Sequence, residues 1–282
     1  MAAAAIDVAY LATLAAVAAR EIIAGHNWRN LRVLVLVGIL IAGNIVFYAE
    51  VYLYGRADYG IRIGIGVVVL LISLVGGRIV PSFTHNWLAR QDAGRLPAPF
   101  SRLDVTTIAV SAIALVLWVA APDSVTTGVA AIVAAVMQVA RLIRWAGDRT
   151  VADRLVLVLH VGYAFLPIGF ALLGASILDP ATFPGSAGIH AWTVGAIGLM
   201  TLAVMTRASL GHTGQPLQAG AGTQAIYLLA LCSALLRIIA AFDGSLPLVE
   251  AAALAWIAAF SGFVLLYGPL LLRQPPIWAS RE

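Results

Sequence analysis

Apolar runs of about 20 residues, the length that a helix needs to cross a bilayer, recur along the whole chain. Hydrophobic residues make up 62% of the 282 and charged residues 11%, which is more apolar surface than one soluble core can bury. Only helices and closed β-barrels satisfy their backbone in hydrocarbon, and runs such as 67–75 lack the alternation of a barrel strand. The sequence therefore predicts an all-α fold, a polytopic transmembrane helix bundle.

Nine segments have the length and apolar character of membrane spans, and we predict that residues 1–282 form one transmembrane domain. The predicted spans are residues 5–24, 31–54, 60–80, 103–121, 124–145, 151–178, 187–209, 220–242 and 246–273. The longest connection, 81–102, contains prolines and a glycine and is predicted to be a loop. Small residues at four-residue spacing, Gly60 with Gly64 and Ala187 with Ala191 and Gly195, are expected to let helices approach closely.

Arginine supplies all 17 basic residues and the net charge of +4. These arginines lie at the ends of spans rather than in one patch, so membrane orientation explains them better than nucleic-acid binding. They flank alternate connections and the end of the last span: Arg20, Arg29, Arg32, Arg90, Arg95, Arg102, Arg141, Arg144, Arg149, Arg154, Arg207, Arg273 and Arg281. The second connection, with Arg56 and Arg62, is an exception. The positive-inside rule predicts a cytoplasmic C-terminus and, with nine spans, an N-terminus outside, which suggests that further spans belong upstream.

Polar residues within the spans form two predicted layers, since such residues are costly in hydrocarbon and tend to face the bundle interior. The layer nearer the arginine-rich connections contains Arg78, His85, His160, Arg207 and His212. The layer at the other side contains Glu50, His190, Arg237 and Glu250. His190 and His212 are 22 positions apart, roughly 33 Å in a continuous helix. These two histidines therefore cannot bind one metal ion unless that helix breaks.

Histidines from different helices can hold haem (heme) or copper, and arginines at the same level can neutralise haem propionates. The chain has no C-x-x-C-H, H-x-x-H or H-E-x-x-H motif. Alternatives therefore stay open at each position. The ring of His160 could instead bond a carbonyl or Tyr163, His85 and His212 could be interfacial residues, and His190 could belong to an aromatic belt.

Three segments resemble the signature segments of the NnrS family, haem- and copper-containing inner-membrane proteins of bacteria that are associated with nitric oxide. They are GGRIVPSFTHNWL at 76–88, LHVGYAFLPIG at 159–169 and HAWTVGAIGLMTLAVMTRASLGHTG at 190–214. The resemblance implies a twelve-helix bundle, of which the nine spans would be the last nine, in the bacterial inner (cytoplasmic) membrane. The family's N-terminal W-H-x-H-E-M type motif has no counterpart in this sequence.

Carried over by position, the resemblance implies candidate haem or copper ligands at His85, His160, His190 and His212, with Arg78 and Arg207 as charge partners. The expected function is haem and copper binding in nitric-oxide metabolism, nitrosative-stress protection or denitrification. Whether the chain is an enzyme stays open. The alternatives are a transporter of ions or small solutes, with Arg78, Arg207 and Glu50 along its path, and a structural or assembly subunit.

Overall fold

The computed structural model describes residues 2–272, and within this range the chain consists of helices and their connections, without a β-strand. The α-helices are α1 (Ala2–Ala24), α2 (Leu31–Tyr54), α3 (Tyr59–Leu71), α4 (Gly77–Leu88), α5 (Arg102–Ala120), α6 (Val125–Ile143), α7 (Arg154–Leu178), α8 (Gly185–His190), α9 (Leu199–His212), α10 (Ala221–Asp243) and α11 (Leu246–Leu272). A π turn at Ile72–Gly76 joins α3 to α4, and a π segment at Ala191–Gly198 joins α8 to α9. Arg273 and Arg281 lie outside the described residues, as do the side chains of Arg29 and Arg32.

Eight helical segments of the described range are long and apolar enough to cross a membrane. They are 33–54, 59–88, 102–120, 125–143, 154–178, 185–212, 221–243 and 246–272. The other predicted span corresponds to α1, a helix of 23 residues that carries Asp7, Arg20 and Glu21. The predicted fold class, an all-α polytopic bundle, is confirmed.

Helix α7 forms the centre of the bundle. It contacts α4, α6, α8, α9 and the π segment, and 67% of its most apolar stretch is buried. Glycine makes one of these contacts possible, because a Cβ atom at Gly169 would overlap the indole of Trp192. The fully buried Trp192 donates its indole N–H to the Leu166 carbonyl at 3.0 Å. Helix α2, by contrast, is peripheral, with 6% of its apolar stretch buried.

The third span is longer than predicted. The helical course runs from Tyr59 through the π turn and through Pro81 to Leu88, so the prediction of a loop over 81–102 is wrong for 81–88. Pro81 stands one turn after the π turn, and irregular winding of this kind is where a helix accommodates a missing N–H. His85 therefore lies on a helix, two turns from Arg78 and on the same face.

The predicted span at 187–209 is likewise part of a longer helical course, from Gly185 to His212. Its winding changes at the π segment, but the backbone stays helical throughout. His190 and His212 therefore lie at opposite ends of it. Helices α4, α6 and α9 end on the same side of the bundle, and we call this side the arginine-rich end.

Gly60 allows close approach of α2 and α3, as predicted, because a Cβ atom there would overlap the backbone of Phe47. Gly64 has no such role, since a Cβ atom at Gly64 would meet nothing within 4 Å. The tight contact is therefore at the first of the two glycines, near the turn that joins the helices.

Gly60→Ala should lower the free energy of unfolding by about 1–3 kcal/mol, because its methyl group would push α2 away from α3. Gly64→Ala, the matched control on the same helix, should leave stability unchanged or raise it by up to about 1 kcal/mol, since alanine favours helix. Thermal unfolding in a mild detergent measures both. Equal unfolding temperatures for the two variants would contradict a tight α2–α3 contact at Gly60.

Candidate functional site

Histidine 160 is buried between α7 and α4. Its Nε2 atom lies 2.8 Å from Thr84 Oγ1, so its partner is neither a carbonyl nor Tyr163. The Thr84 hydroxyl donates to the Val80 carbonyl at 2.8 Å and thus can only accept from the ring. Nε2 therefore carries the proton, and a neutral His160 presents its lone pair at Nδ1, on the side packed against Gly147.

Arg207 also reaches α4. Its Cζ atom lies 4.1 Å from the ring centroid of Phe83, a cation–π contact. Its Nη1 atom is buried and has no hydrogen-bond partner among residues 2–272. His212 is exposed at the end of α9. Helix α4 thus lies at the centre of the predicted layer: it carries two members, Arg78 and His85, and is contacted by two more.

A cavity of about 790 Å³ opens at the arginine-rich end, between the start of α2, helix α4 and the loop before α5. Arg78 and His85 line it from α4, and Asp104 of α5 and Trp145 after α6 also line it. The loop is held in place by a backbone bond from the Ala98 N–H to the Arg144 carbonyl, at 2.9 Å. One candidate histidine, His85, and one candidate arginine, Arg78, therefore line the same cavity.

The second predicted layer is spread over separate contacts. His190 is half-buried at the junction of α8 and the π segment, close enough to Arg237 of α10 to interact electrostatically with it. Glu50 accepts backbone N–H bonds from Tyr59 at 3.0 Å and from Gly60 at 2.7 Å. Its carboxylate thus caps the first turn of α3.

A second group of polar residues lies deeper than the cavity, around the fully buried Arg141 of α6. Its Nε atom donates to Asp104 Oδ1 of α5 at 2.9 Å. Its Nη1 atom donates to the Ser73 carbonyl of the π turn at 2.8 Å and to the Tyr163 hydroxyl of α7 at 3.0 Å. The guanidinium therefore joins four segments of the bundle, with Trp145 stacked against it at 5.3 Å.

Gln138, one turn before Arg141, extends these contacts. Its Nε2 atom donates to the hydroxyls of Ser73 and Ser111 at 2.8 and 2.9 Å, and its Oε1 atom accepts from the Tyr163 hydroxyl at 2.8 Å. We call these six residues the Arg141 network: Arg141, Asp104, Gln138, Ser73, Ser111 and Tyr163. Each of them is buried, as expected for polar groups that only the protein can satisfy.

One atom of this network is unsatisfied. Arg141 Nη2 is buried and has no hydrogen-bond partner among the described residues. It faces Gly77, where a Cβ atom would overlap the guanidinium. Gly77, Asp104 and Trp145 all contact Arg141, and all three line the cavity. The guanidinium therefore lies directly behind the cavity wall.

Comparison with known families decides what kind of protein carries this arrangement. The NnrS protein family model matches residues 1–274, nearly the whole chain. The chain belongs to the NnrS family. No curated protein and no solved structure matches it. At family level, this chain is a multi-pass membrane protein associated with nitric oxide.

The donors that this NnrS-family chain offers to a metal are dispersed. Between Ala2 and Leu272 no group of three or more His, Cys, Asp or Glu side chains could hold a metal ion. His85 directly follows Thr84, the residue of α4 that His160 contacts, whereas His190 lies at the opposite end of the bundle. Haem needs only one or two imidazoles, so these residues fit a haem better than a copper ion that needs three ligands together.

Sequence reasoning missed the Arg141 network of this NnrS-family chain. The position of Arg141 at a span end indicates topology, and that explanation leaves out Asp104 at the start of α5, the preceding helix. The available signal was depth: Asp104 stands two residues inside α5, and Arg141 two residues before the end of α6. A carboxylate and a guanidinium at one level of adjacent helices indicate an ion pair.

Asp104→Asn should destabilise the protein by about 3–5 kcal/mol, because it leaves a buried guanidinium without its counter-charge. Arg144→Gln is the matched control, since Arg144 binds the other oxygen of the same carboxylate at 3.4 Å and is partly exposed. Arg144→Gln should lower the free energy of unfolding by less than about 1 kcal/mol. Thermal unfolding in detergent compares the two, and a larger loss for Arg144→Gln would refute the central place of Arg141.

Proposed function

We propose that this protein binds haem, and copper at a further position, and acts on nitric oxide in its metabolism, in protection from nitrosative stress or in denitrification. The observation that carries the proposal is the family match over residues 1–274. Its support within the fold is that His85 follows Thr84, the residue of α4 that His160 contacts.

The residues proposed to hold the haem have separable tasks. His85 is exposed at the cavity wall, where its ring is accessible. His160 Nε2 is bound to Thr84 and its Nδ1 atom packs against Gly147, so the ring must give up one of these contacts to bind a metal. Arg207, against Phe83 of the same helix, is a proposed charge partner. A bound haem supplies an iron atom that can bind nitric oxide, and this small apolar gas reaches the bundle through the lipid.

Copper is proposed at the remaining candidate histidines, His190 and His212. They lie at opposite ends of the course from Gly185 to His212, so one ion can bind at either but not at both. Ligands from another chain or another part of the family's bundle would complete such a site.

A transporter is the less supported alternative. Broken helices with exposed half-helix ends are the usual basis of a substrate site in transporters. The two irregular helical courses of this bundle, 59–88 and 185–212, keep helical winding through their π turns.

Protein purified in a mild detergent should show a Soret absorption band and bound iron, and His85→Ala should weaken or abolish the band because a proposed haem ligand is lost. Thr84→Val should shift the band without abolishing it, since it frees the His160 ring without removing it. His190→Ala, at the far end of the bundle, is the control and should retain the spectrum. Absence of both a Soret band and metal from the unaltered protein would overturn the proposal.

We also propose that the arginine-rich end faces the cytoplasm, on the basis of the positive-inside rule. A green fluorescent protein fused after Glu282 should then fluoresce, and an alkaline phosphatase at the same position should be inactive. A fusion in the connection between α5 and α6, which contains no arginine, should give the reverse pattern. An active phosphatase at the C-terminus would show that the arginine-rich end faces away from the cytoplasm, contrary to the proposal.

A further inference from the structure

Two neighbouring cavities at the arginine-rich end form one amphipathic site. The first is the cavity of about 790 Å³ that contains Arg78 and His85. The second, of about 330 Å³, is an apolar groove between α2, α3 and α5. Both are lined by Arg78 and Phe100, so the polar chamber continues into the groove. A ligand that fills both has a polar end and an apolar end.

The polar chamber carries excess positive charge. Arg78 lines it and makes one long hydrogen bond, 3.5 Å from Nη1 to Asn30 Oδ1. Arg141 lies behind Gly77 with Nη2 unpartnered. The carboxylate in the wall, Asp104, is already bound on both oxygens, by Arg141 at 2.9 Å and by Arg144 at 3.4 Å. Two arginines thus share one carboxylate and Arg78 adds a third positive charge, so an anion in the chamber would balance the surplus.

The groove has the character of a binding surface for a hydrocarbon chain. Leu70, Leu74 and Val105 are among its lining residues, and Arg78 is the charged one. Leu70 and Arg78 are eight residues apart along the helical segment, which corresponds to a length of roughly 12 Å. The groove also opens sideways, because the lining residues Val35 and Val105 are 61% and 55% exposed. A molecule already in the membrane can therefore enter it laterally.

We propose that this site binds an anionic phospholipid of the adjacent leaflet. Its phosphate lies in the chamber against Arg78, and Arg141 adds positive charge through the gap that Gly77 leaves. One acyl chain occupies the groove along α3 and α5. Basic pockets between transmembrane helices are typical headgroup sites. A soluble anion would leave the groove empty, and a zwitterionic lipid would leave the arginine charge unbalanced.

The chamber also contains His85, a proposed haem ligand, and family resemblance offers Arg78 as a haem charge partner. Arg78 and His85 are two turns of α4 apart, roughly 10 Å, so a phosphate held against Arg78 leaves the His85 ring accessible, and Arg78 then pairs with the headgroup rather than with haem. The lateral opening of the groove favours lipid over a cofactor that needs an enclosed pocket. The two assignments differ in what they predict for the absorption spectrum, and the test uses this difference.

The test measures thermal stability and bound lipid of the detergent-purified full chain, with phosphatidylglycerol, phosphatidylcholine or inorganic phosphate added. Phosphatidylglycerol alone should raise the unfolding temperature and stay bound in native mass spectrometry. Arg78→Gln should weaken its binding about fivefold, the loss expected for one arginine near a headgroup. Arg56→Gln, an exposed arginine at the opposite end, is the charge control and should bind like the unaltered protein.

Val105→Trp should block the groove and weaken lipid binding, whereas Ile113→Trp should not. The latter is the matched control, since Ile113 is 58% exposed on the same helix and outside the groove. Equal stabilisation by inorganic phosphate, or equal losses for each variant and its control, would overturn the proposal. A Soret band lost in both Arg78→Gln and Val105→Trp would assign the site to haem instead.

Discussion

A guanidinium buried in a membrane protein must find its counter-charge and its hydrogen-bond acceptors within the protein, and Arg141 imposes this requirement on the arginine-rich half of the bundle. The requirement is met by α5 through Asp104, by the π turn through the Ser73 carbonyl and by α7 through Tyr163. Displacing any one of these segments would leave a buried polar group without its partner. The network therefore fixes the relative positions of α3, α5, α6 and α7 more strictly than apolar packing alone, which tolerates sliding.

The candidate site depends on this fixed arrangement. Helix α4 follows directly after the π turn that Arg141 holds, so the network determines where α4 starts and which way it points. Thr84 on α4 then meets His160 of α7, and Arg78 and His85 reach the cavity. The network uses only the Nε and Nη1 atoms of the Arg141 guanidinium. The unpartnered Nη2 faces the cavity wall, so the same side chain supports the fold and contributes charge to the chamber.

Much of the fold could be predicted from sequence, because hydropathy over a bilayer length and arginine position are strong, local signals. The burial of His160 in the bundle interior is likewise expected for a polar residue within a span. The partner of His160 could not be predicted, since Thr84 lies 76 positions away in a segment interpreted as a loop beginning at Pro81. Nor could the role of the Ser73 carbonyl, because a bond from a side chain to a backbone acceptor leaves no mark in residue type.

The π turn at Ile72–Gly76 has a consequence for the register of the whole site. A π turn accommodates one residue more than the corresponding α turn, and one residue corresponds to about 100° of rotation around a helix axis. If residues 72–76 wound as ordinary α-helix, everything after them would turn by that angle. Arg78 and His85 would leave the cavity together, and Thr84 would no longer meet His160. The extra residue thus acts as an angular offset between two halves of one membrane helix: the first half is oriented for packing against α2, and the second half is oriented for the site.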